Sequence, residues 1–497
     1  MSKKAVGKGV TYLYIESIGT MVGGYIFWLI LTKITTTDII GLSSTVISLA
    51  FIFSIVASID IPYGVQRFLG KSFSEQKLED AKVFVKGALL LISIGIAACS
   101  IVILAAHNWI YDSFKIDFNL IIVTILFVGS SSIMTLFRSI VIASLKTKTL
   151  PAIMIISSIA KLALAYILVL AGTGVFGITI SSTFFPIFAS ILLSITIILI
   201  FKPSFMDKSE VSLGKSFKNI FIASVASWIP HVIAIIGTNS GILAVFGSHG
   251  ASEAGVYFIA FSIVTAISAS MLALFTIALP TLSGMQDGRK RFAWRTIKIN
   301  LIISLPISFA FVFYSKQIMQ LFGEDYIKGS PSLEILLLSM LPFAIMTGIN
   351  TLVYSYGNYK QVLAIGLASS IPRVVLYILV VPFYDSTGAA ISYTIGAIIG
   401  LIASIIVAKK IEMQIFWKDI AFIAIIPAGL AFLLSYFQVN YLIGILLTLV
   451  VSYLILLKIQ IITRTDVQDS FAILPSGIAY PILNLWNILC KKVNKTK

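Results

Sequence analysis

Lys148-Thr-Leu-Pro-Ala-Ile-Met-Ile-Ile-Ser-Ser-Ile-Ala-Lys-Leu-Ala-Leu-Ala-Tyr-Ile-Leu-Val-Leu-Ala171 leads through Gly172-Thr-Gly174 into a second apolar run, which ends at Phe201-Lys202. The runs, 150–171 and 175–201, are each long enough to cross hydrocarbon about 30 Å thick at about 1.5 Å per residue. In lipid every backbone polar group must be satisfied within its own segment, so such runs are helices. The ends differ. Lys146 and Lys148 precede the first run and Lys202 follows the second, while the hairpin between them carries no basic residue.

The same alternation extends in both directions. Fourteen apolar segments are legible, at about 10–32, 39–61, 83–106, 118–144, 150–171, 175–201, 219–240, 254–280, 297–314, 332–355, 361–383, 387–408, 418–437 and 440–462. Of the 36 Lys and Arg residues, 28 lie in the N-terminus, the even-numbered gaps and the tail. Four (Lys33, Lys115, Lys316 and Lys328) lie in the odd gaps. The positive-inside rule places the termini and even loops in the cytoplasm. The expected fold is an all-α polytopic membrane protein of about 14 transmembrane helices with both termini cytoplasmic.

Composition agrees. Charged residues make up 11% and hydrophobic ones 58% of the chain, against about a quarter charged in soluble proteins. The net charge of +16 is spread over short membrane-flanking loops, so it reads as topology and affinity for anionic membrane lipids, not as nucleic-acid binding. The two cysteines, Cys99 and Cys490, lie in different environments and form no disulfide framework or metal cluster. The first apolar segment is too long for a signal-peptide core and reads as a retained helix. No gap is long enough for a soluble domain. The tail holds an apolar stretch, 471–490, broken by Pro475 and Pro481 and followed by four lysines. It is expected to lie at the cytoplasmic interface.

The chain also repeats itself at an offset near 212. Lys148-Thr-Leu-Pro-Ala152, Ser157-Ser-Ile-Ala-Lys161 and Tyr166-Ile-Leu-Val169 correspond to Lys360-Gln-Val-Leu-Ala364, Ser369-Ser-Ile-Pro-Arg373 and Tyr377-Ile-Leu-Val380. Gly177 and Gly388 follow at nearly the same offset, and Asp38…Gly41 is echoed by Glu253…Gly255. A repeat of six helices is inserted in the same sense both times. The expected arrangement is therefore two parallel six-helix lobes about an axis along the membrane normal, with a substrate site between them. The expected divisions are 1–204 for helices 1–6, 205–410 for helices 7–12, 411–463 for helices 13–14, and 464–497 for the interfacial tail. Gly70-Lys71-Ser72 lacks the spacing and strand context of a phosphate-binding loop. With no paired carboxylates or metal-ligand cluster either, the chain reads as a transporter without cofactor or metal, not as an enzyme.

Several stretches resemble the polysaccharide (oligosaccharide) flippases of the multidrug/oligosaccharidyl-lipid/polysaccharide exporter superfamily. They are Lys8-Gly9 leading to Leu31-Thr-Lys33 and Asp38-Ile-Ile-Gly41-Leu, then Pro62-Tyr-Gly-Val-Gln-Arg67-Phe, and Ala278-Leu-Pro280-Thr-Leu-Ser283. The resemblance implies two lobes around a cavity that opens alternately to each side. It implies a lipid-linked saccharide, carried by its phosphate or pyrophosphate head from the inner to the outer leaflet of a prokaryotic cytoplasmic membrane. Partners would be membrane lipids and glycosyltransferases or a polymerase. Members that move the peptidoglycan precursor carry several arginines in helices 1, 2 and 8; the acidic Glu16 in helix 1 departs from that pattern and points away from a peptidoglycan role. The alternative within the superfamily is a cation-coupled multidrug exporter, which would want acidic cavity residues.

With loop charges assigned to orientation, Lys86, Arg138, Lys161 and Arg373 remain inside helices. A Lys or Arg at mid-span costs about 2.5–3.5 kcal/mol on insertion scales, so it needs a partner or a hydrated cavity. Lys161 and Arg373, in register between the repeats, are the candidate head-group ligands, with Arg138 a third that can also snorkel to the interface. Glu16, with Gly19 and Gly23 on the same face, can couple an ion or pair with a base. Asp60, expected at the hydrated end of helix 2, and His231, next to Pro230, are further coupling candidates. Asn239 is a candidate polar cavity residue. Each also has a plain structural reading, as an ion pair, a packed polar residue or a helix bend.

Overall fold

The computed structural model describes residues 3–201 and 211–462, apart from the side chains of residues 3–11 and a few other helical positions. The expected interfacial tail, including 471–490, lies outside the described residues. Sixteen α-helices occur among those that are described: α1 (Lys3–Ile34), α2 (Thr37–Ser58), α3 (Ile61–Ser74), α4 (Leu78–Ala105), α5 (His107–Phe114), α6 (Phe118–Ala143), α7 (Leu150–Leu170), α8 (Gly174–Phe201), α9 (Leu213–Gly284), α10 (Arg289–Phe313), α11 (Ser315–Gln320), α12 (Ser330–Leu338), α13 (Met340–Ser355), α14 (Tyr359–Lys410), α15 (Trp417–Tyr436) and α16 (Tyr441–Lys458).

Two of these helices are too long for one crossing. α9 has 72 residues and bends at Gly250 (φ 82°, ψ −173°), a backbone conformation open to glycine. α14 has 52 residues and breaks at Tyr384 and Asp385. Both breaks fall in gaps expected from the sequence. Among the described residues, twelve helical stretches are long and apolar enough to span a membrane; dividing the two broken ones yields fourteen. Large apolar side chains such as Ile101, Ile159, Ile198, Ile378 and Ile425 are exposed, as lipid-facing positions must be.

The loops are more structured than expected. The gap after helix 2 contains α3, and its pattern explains why. Ile61, Val65 and Leu69, four residues apart, are fully buried in a cluster with Phe84, Leu91, Leu136 and Ile140, while Lys71 on the same helix is exposed. Pro62 stands in its first turn, where its missing N–H costs nothing. Helix 2 itself ends at Ser58, earlier than expected, because Ile59 and Asp60 both adopt left-handed backbone conformations (φ 46° and 54°). A β-branched residue there is a genuine outlier.

The chain divides into two compact units, residues 1–259 with 374–389, and residues 260–373 with those from 390 onward. Within the first, α6 packs against α2, α3, α4 and α8, and α7 packs against α1 and α8. α1 and α7 approach through small residues. A Cβ at Gly19 would lie 2.7 Å from Ile155, and one at Gly23 would lie 3.2 Å from Ser158. Within the second unit, α10 packs against α12, α13, α15 and α16. Lys298 and Asp419 (3.6 Å) fasten α15 to α10, and the Tyr314 hydroxyl donates to the Val439 carbonyl (3.2 Å).

One contact in the first unit is reciprocal. A Cβ at Gly41 would fall 1.7 Å from the Ala251 carbonyl oxygen, and one at Gly255 would fall 2.3 Å from that of Thr37. Each glycine thus meets the carbonyl four residues before the other, and the Thr37 and Ser252 hydroxyls are hydrogen bonded at 2.9 Å. These are the glycines of the sequence echo. Elements related by a two-fold axis meet in this self-complementary way.

Candidate functional site

Lys161 continues the α1–α7 contact by one turn. Its ammonium lies 3.7 Å from the centre of the Phe27 ring, a cation–π geometry. Arg373, in the first arm of α14, lies 4.0 Å from the Tyr393 ring on the second arm. It is 4% exposed and its Nη2 donates to Ser369 Oγ at 3.4 Å. Its buried Nε has no hydrogen-bond partner among the described residues. Gly396 permits this approach, since a Cβ there would lie 2.8 Å from the Arg373 Cβ. Neither cation meets a carboxylate within ion-pair distance among the described residues. Each faces an aromatic ring instead, which stabilises positive charge without neutralising it.

Arg138 and Glu16, considered separately from sequence, are partners. Arg138 Nε donates to Glu16 Oε1 at 2.6 Å and Nη2 to Oε2 at 3.2 Å, a bidentate, charge-assisted pair. The carboxylate is 5% exposed and the guanidinium 36%. The pair holds α6 to α1, and the Arg138 charge is largely committed to Glu16.

Asp60 and His231 are likewise joined, with His231 Nδ1 3.2 Å from Asp60 Oδ1. Asp60 is only 2% exposed, which corrects the expectation of a hydrated end position: the left-handed turn folds it inward between α2 and α3. Asn239 donates to the Ile235 carbonyl of its own helix (3.0 Å), so one of its amide protons is spent locally. The sequence did not point to Phe27 and Tyr393 as seats for the cations, to Gln66 donating to Ser139 (3.0 Å), or to Trp228 donating to the Ile55 carbonyl (3.1 Å). All four are contacts between helices, which no spacing along one helix encodes.

Residues 45–331, more than half of the chain, match the family model described as polysaccharide biosynthesis protein. The chain belongs to that family. A second model, described as lipid II flippase MurJ, matches residues 265–457 of this polysaccharide biosynthesis protein. No curated protein matches it. Among solved structures, a lipid II flippase MurJ in an inward closed conformation aligns with TM-score 0.73 and 17% identity, covering 88% of this chain and 96% of that one. An inward-facing multidrug resistance MATE family transporter of the MOP superfamily aligns with TM-score 0.62 and 15% identity, covering 81% and 97%. An outward-facing MATE family transporter gives 0.54 and 13%, covering 82% and 98%. At these identities the likeness is one of fold, and function has to be argued from the site. The likeness to MurJ stands beside the residue-level departure at Glu16, which pairs with Arg138.

Proposed function

We propose that this polysaccharide biosynthesis family member is a transporter that moves a lipid-linked oligosaccharide from the inner to the outer leaflet by alternating access. The observation that carries the reading is the pair Lys161 and Arg373, cations inside apolar helices at matching places of a repeat, each resting on a ring and neither neutralised by a carboxylate. An anionic phosphate or pyrophosphate head is the partner such groups lack. Arg adds bidentate geometry for phosphate. Arg373 is buried, so the second arm of α14 has to move for substrate to reach it. Lys161 is half-buried as a residue, with its ammonium turned inward onto the buried Phe27 ring. Lobes at 1–204 and 205–410 rock about the central cavity, with helices 13 and 14 appended and both termini cytoplasmic. The saccharide passes through the polar interior while the lipid tail stays in the bilayer. The setting is a prokaryotic cytoplasmic membrane, with glycosyltransferases or a polymerase as partners.

The fold likeness to MATE transporters favours a second reading, a cation-coupled exporter of small molecules. A cationic drug would want acids free to receive it, but Glu16 is held by Arg138.

The test is flipping of a labelled lipid-linked saccharide in vesicles by wild type, Lys161→Ala and Arg373→Ala at matched protein levels. Each charge-assisted contact is worth about 1.5–3 kcal/mol, so each variant should flip at least about tenfold more slowly. Wild-type rates in both would remove the basis of the reading.

A further inference from the structure

The turn between α2 and α3 meets the first arm of α9 along one face of that arm. A Cβ at Gly64 would fall 3.3 Å from the Ile220 carbonyl oxygen and from the Ser224 Cβ. Trp228 donates its indole N–H to the Ile55 carbonyl at 3.1 Å, and His231 reaches Asp60 at 3.2 Å. Residues 220, 224, 228 and 231 follow helical spacing, so this is a continuous seam.

Three features of the seam are unusual together. Ile59 and Asp60 are consecutive residues in the left-handed region, neither of them glycine, which is backbone strain that the surroundings impose. The Asp60 carboxylate is 2% exposed and its Oδ2 has no hydrogen-bond partner among the described residues. The His231 side chain is 41% exposed and follows Pro230 in mid-helix, where the ring removes one backbone hydrogen bond and eases bending. Other charged residues on the elements that meet here are Asp38 at the far end of α2, Arg67 and Lys71 on α3, and Glu79, Asp80, Lys82 and Lys86 on α4. Arg138 on α6, Lys215 and Lys218 at the start of α9, and His249 and Glu253 beside its bend at Gly250 complete the set. Arg138 is taken by Glu16, Lys82 by Glu79, and Lys71 faces Glu75.

We propose that Asp60 and His231 form a proton-binding clasp, in which one proton on the imidazole holds the first arm of α9 against the α2–α3 turn and its loss releases that arm. It rests on the transport reading for its purpose. With the proton bound, imidazolium and carboxylate neutralise one another. Without it, a buried carboxylate keeps a single neutral donor and an empty second oxygen, an arrangement that desolvation disfavours. Separation then hydrates the carboxylate and lets the strained turn relax. The proton enters and leaves through the exposed imidazole, one taken up and one given off in each cycle. With loading and release on opposite sides of the membrane, one proton crosses per cycle.

The test uses the full chain in lipid vesicles, with Cys99→Ser and Cys490→Ser and spin labels on Lys71→Cys and Lys215→Cys, both at exposed positions. The distance distribution between the labels is read from about pH 8 to about pH 5, the range over which histidine changes charge. In wild type the close population should rise roughly fivefold on acidification, the factor equivalent to about 1 kcal/mol. In Asp60→Asn and in His231→Gln the distribution should not change with pH. If one variant does not fold, the other decides. A wild-type distribution indifferent to pH, or a response retained in the variants, overturns the clasp. No saccharide is needed, so a lost pH response with intact flipping defeats the clasp alone. An intact response without flipping defeats the transport reading alone.

Discussion

Lys161 reaches back to α1, where its ammonium lies 3.7 Å from the Phe27 ring, while Arg373 reaches forward to the second arm of α14, 4.0 Å from the Tyr393 ring. The two hold the same place in the repeat. Shifting by 211 or 212 residues puts Ser182 or Ser181 where the second copy has Tyr393, and Phe185 or Phe184 where it has Gly396. The first copy thus has a serine where the second has its ring, and a bulky side chain where the second has the glycine that admits the cation. Conversely, Asn239, Ser240 and Gly241 cover the place of Phe27 in the second copy. The repeat preserves a cation at one depth and exchanges the helix that receives it. In consequence Lys161 is seated on a helix before its own in the chain and Arg373 on the arm after its own.

Substitutions that copy one repeat into the other test this comparison. Gly396→Phe should do the most damage, because even a Cβ there lies 2.7 Å from the Ser369 carbonyl oxygen. A loss of about 3 kcal/mol or more, read as thermal unfolding in detergent, is expected; a near-wild-type midpoint would show that the arms of α14 are not tightly seated. Tyr393→Leu keeps apolar volume and removes the ring beneath a desolvated guanidinium, for a loss of about 2 kcal/mol. Phe27→Leu makes the same change beneath the Lys161 ammonium and should cost about 1–2 kcal/mol from the lost cation–π contact. A loss for one and none for the other would show that only one of the two rings seats its cation. Lys161→Met should shift stability least, within about 0.5 kcal/mol, yet slow flipping about tenfold. Unimpaired flipping would make Lys161 a packing residue.

How much of this was legible beforehand depends on what a linear pattern records. The span count, the breaks near Gly250 and Asp385, and the paired positions of Lys161 and Arg373 follow from apolar length, loop charge and repetition, all written along the chain. α3 was missed although Ile61, Val65 and Leu69 spell an amphipathic helix, because Arg67 between them and the charges that follow read as loop. The Glu16–Arg138 and Asp60–His231 pairs were not predictable as pairs. Their members lie 122 and 171 residues apart, and only the packing of α1 on α6, and of α9 on the α2–α3 turn, brings them together. The burial of Asp60 depends on two left-handed residues that no propensity favours.

The Gly41–Gly255 contact carries a consequence for how the two copies can drift apart. In a two-fold dimer of separate chains, every substitution strikes both sides of an interface at once. Here the same self-complementary contact lies within a single polypeptide, so either side can change alone. A fused pair can therefore keep its seam matched where the backbones touch and let the interior positions specialise. Gly41 and Gly255 have stayed alike, whereas the Phe27–Lys161 and Arg373–Tyr393 seats have not.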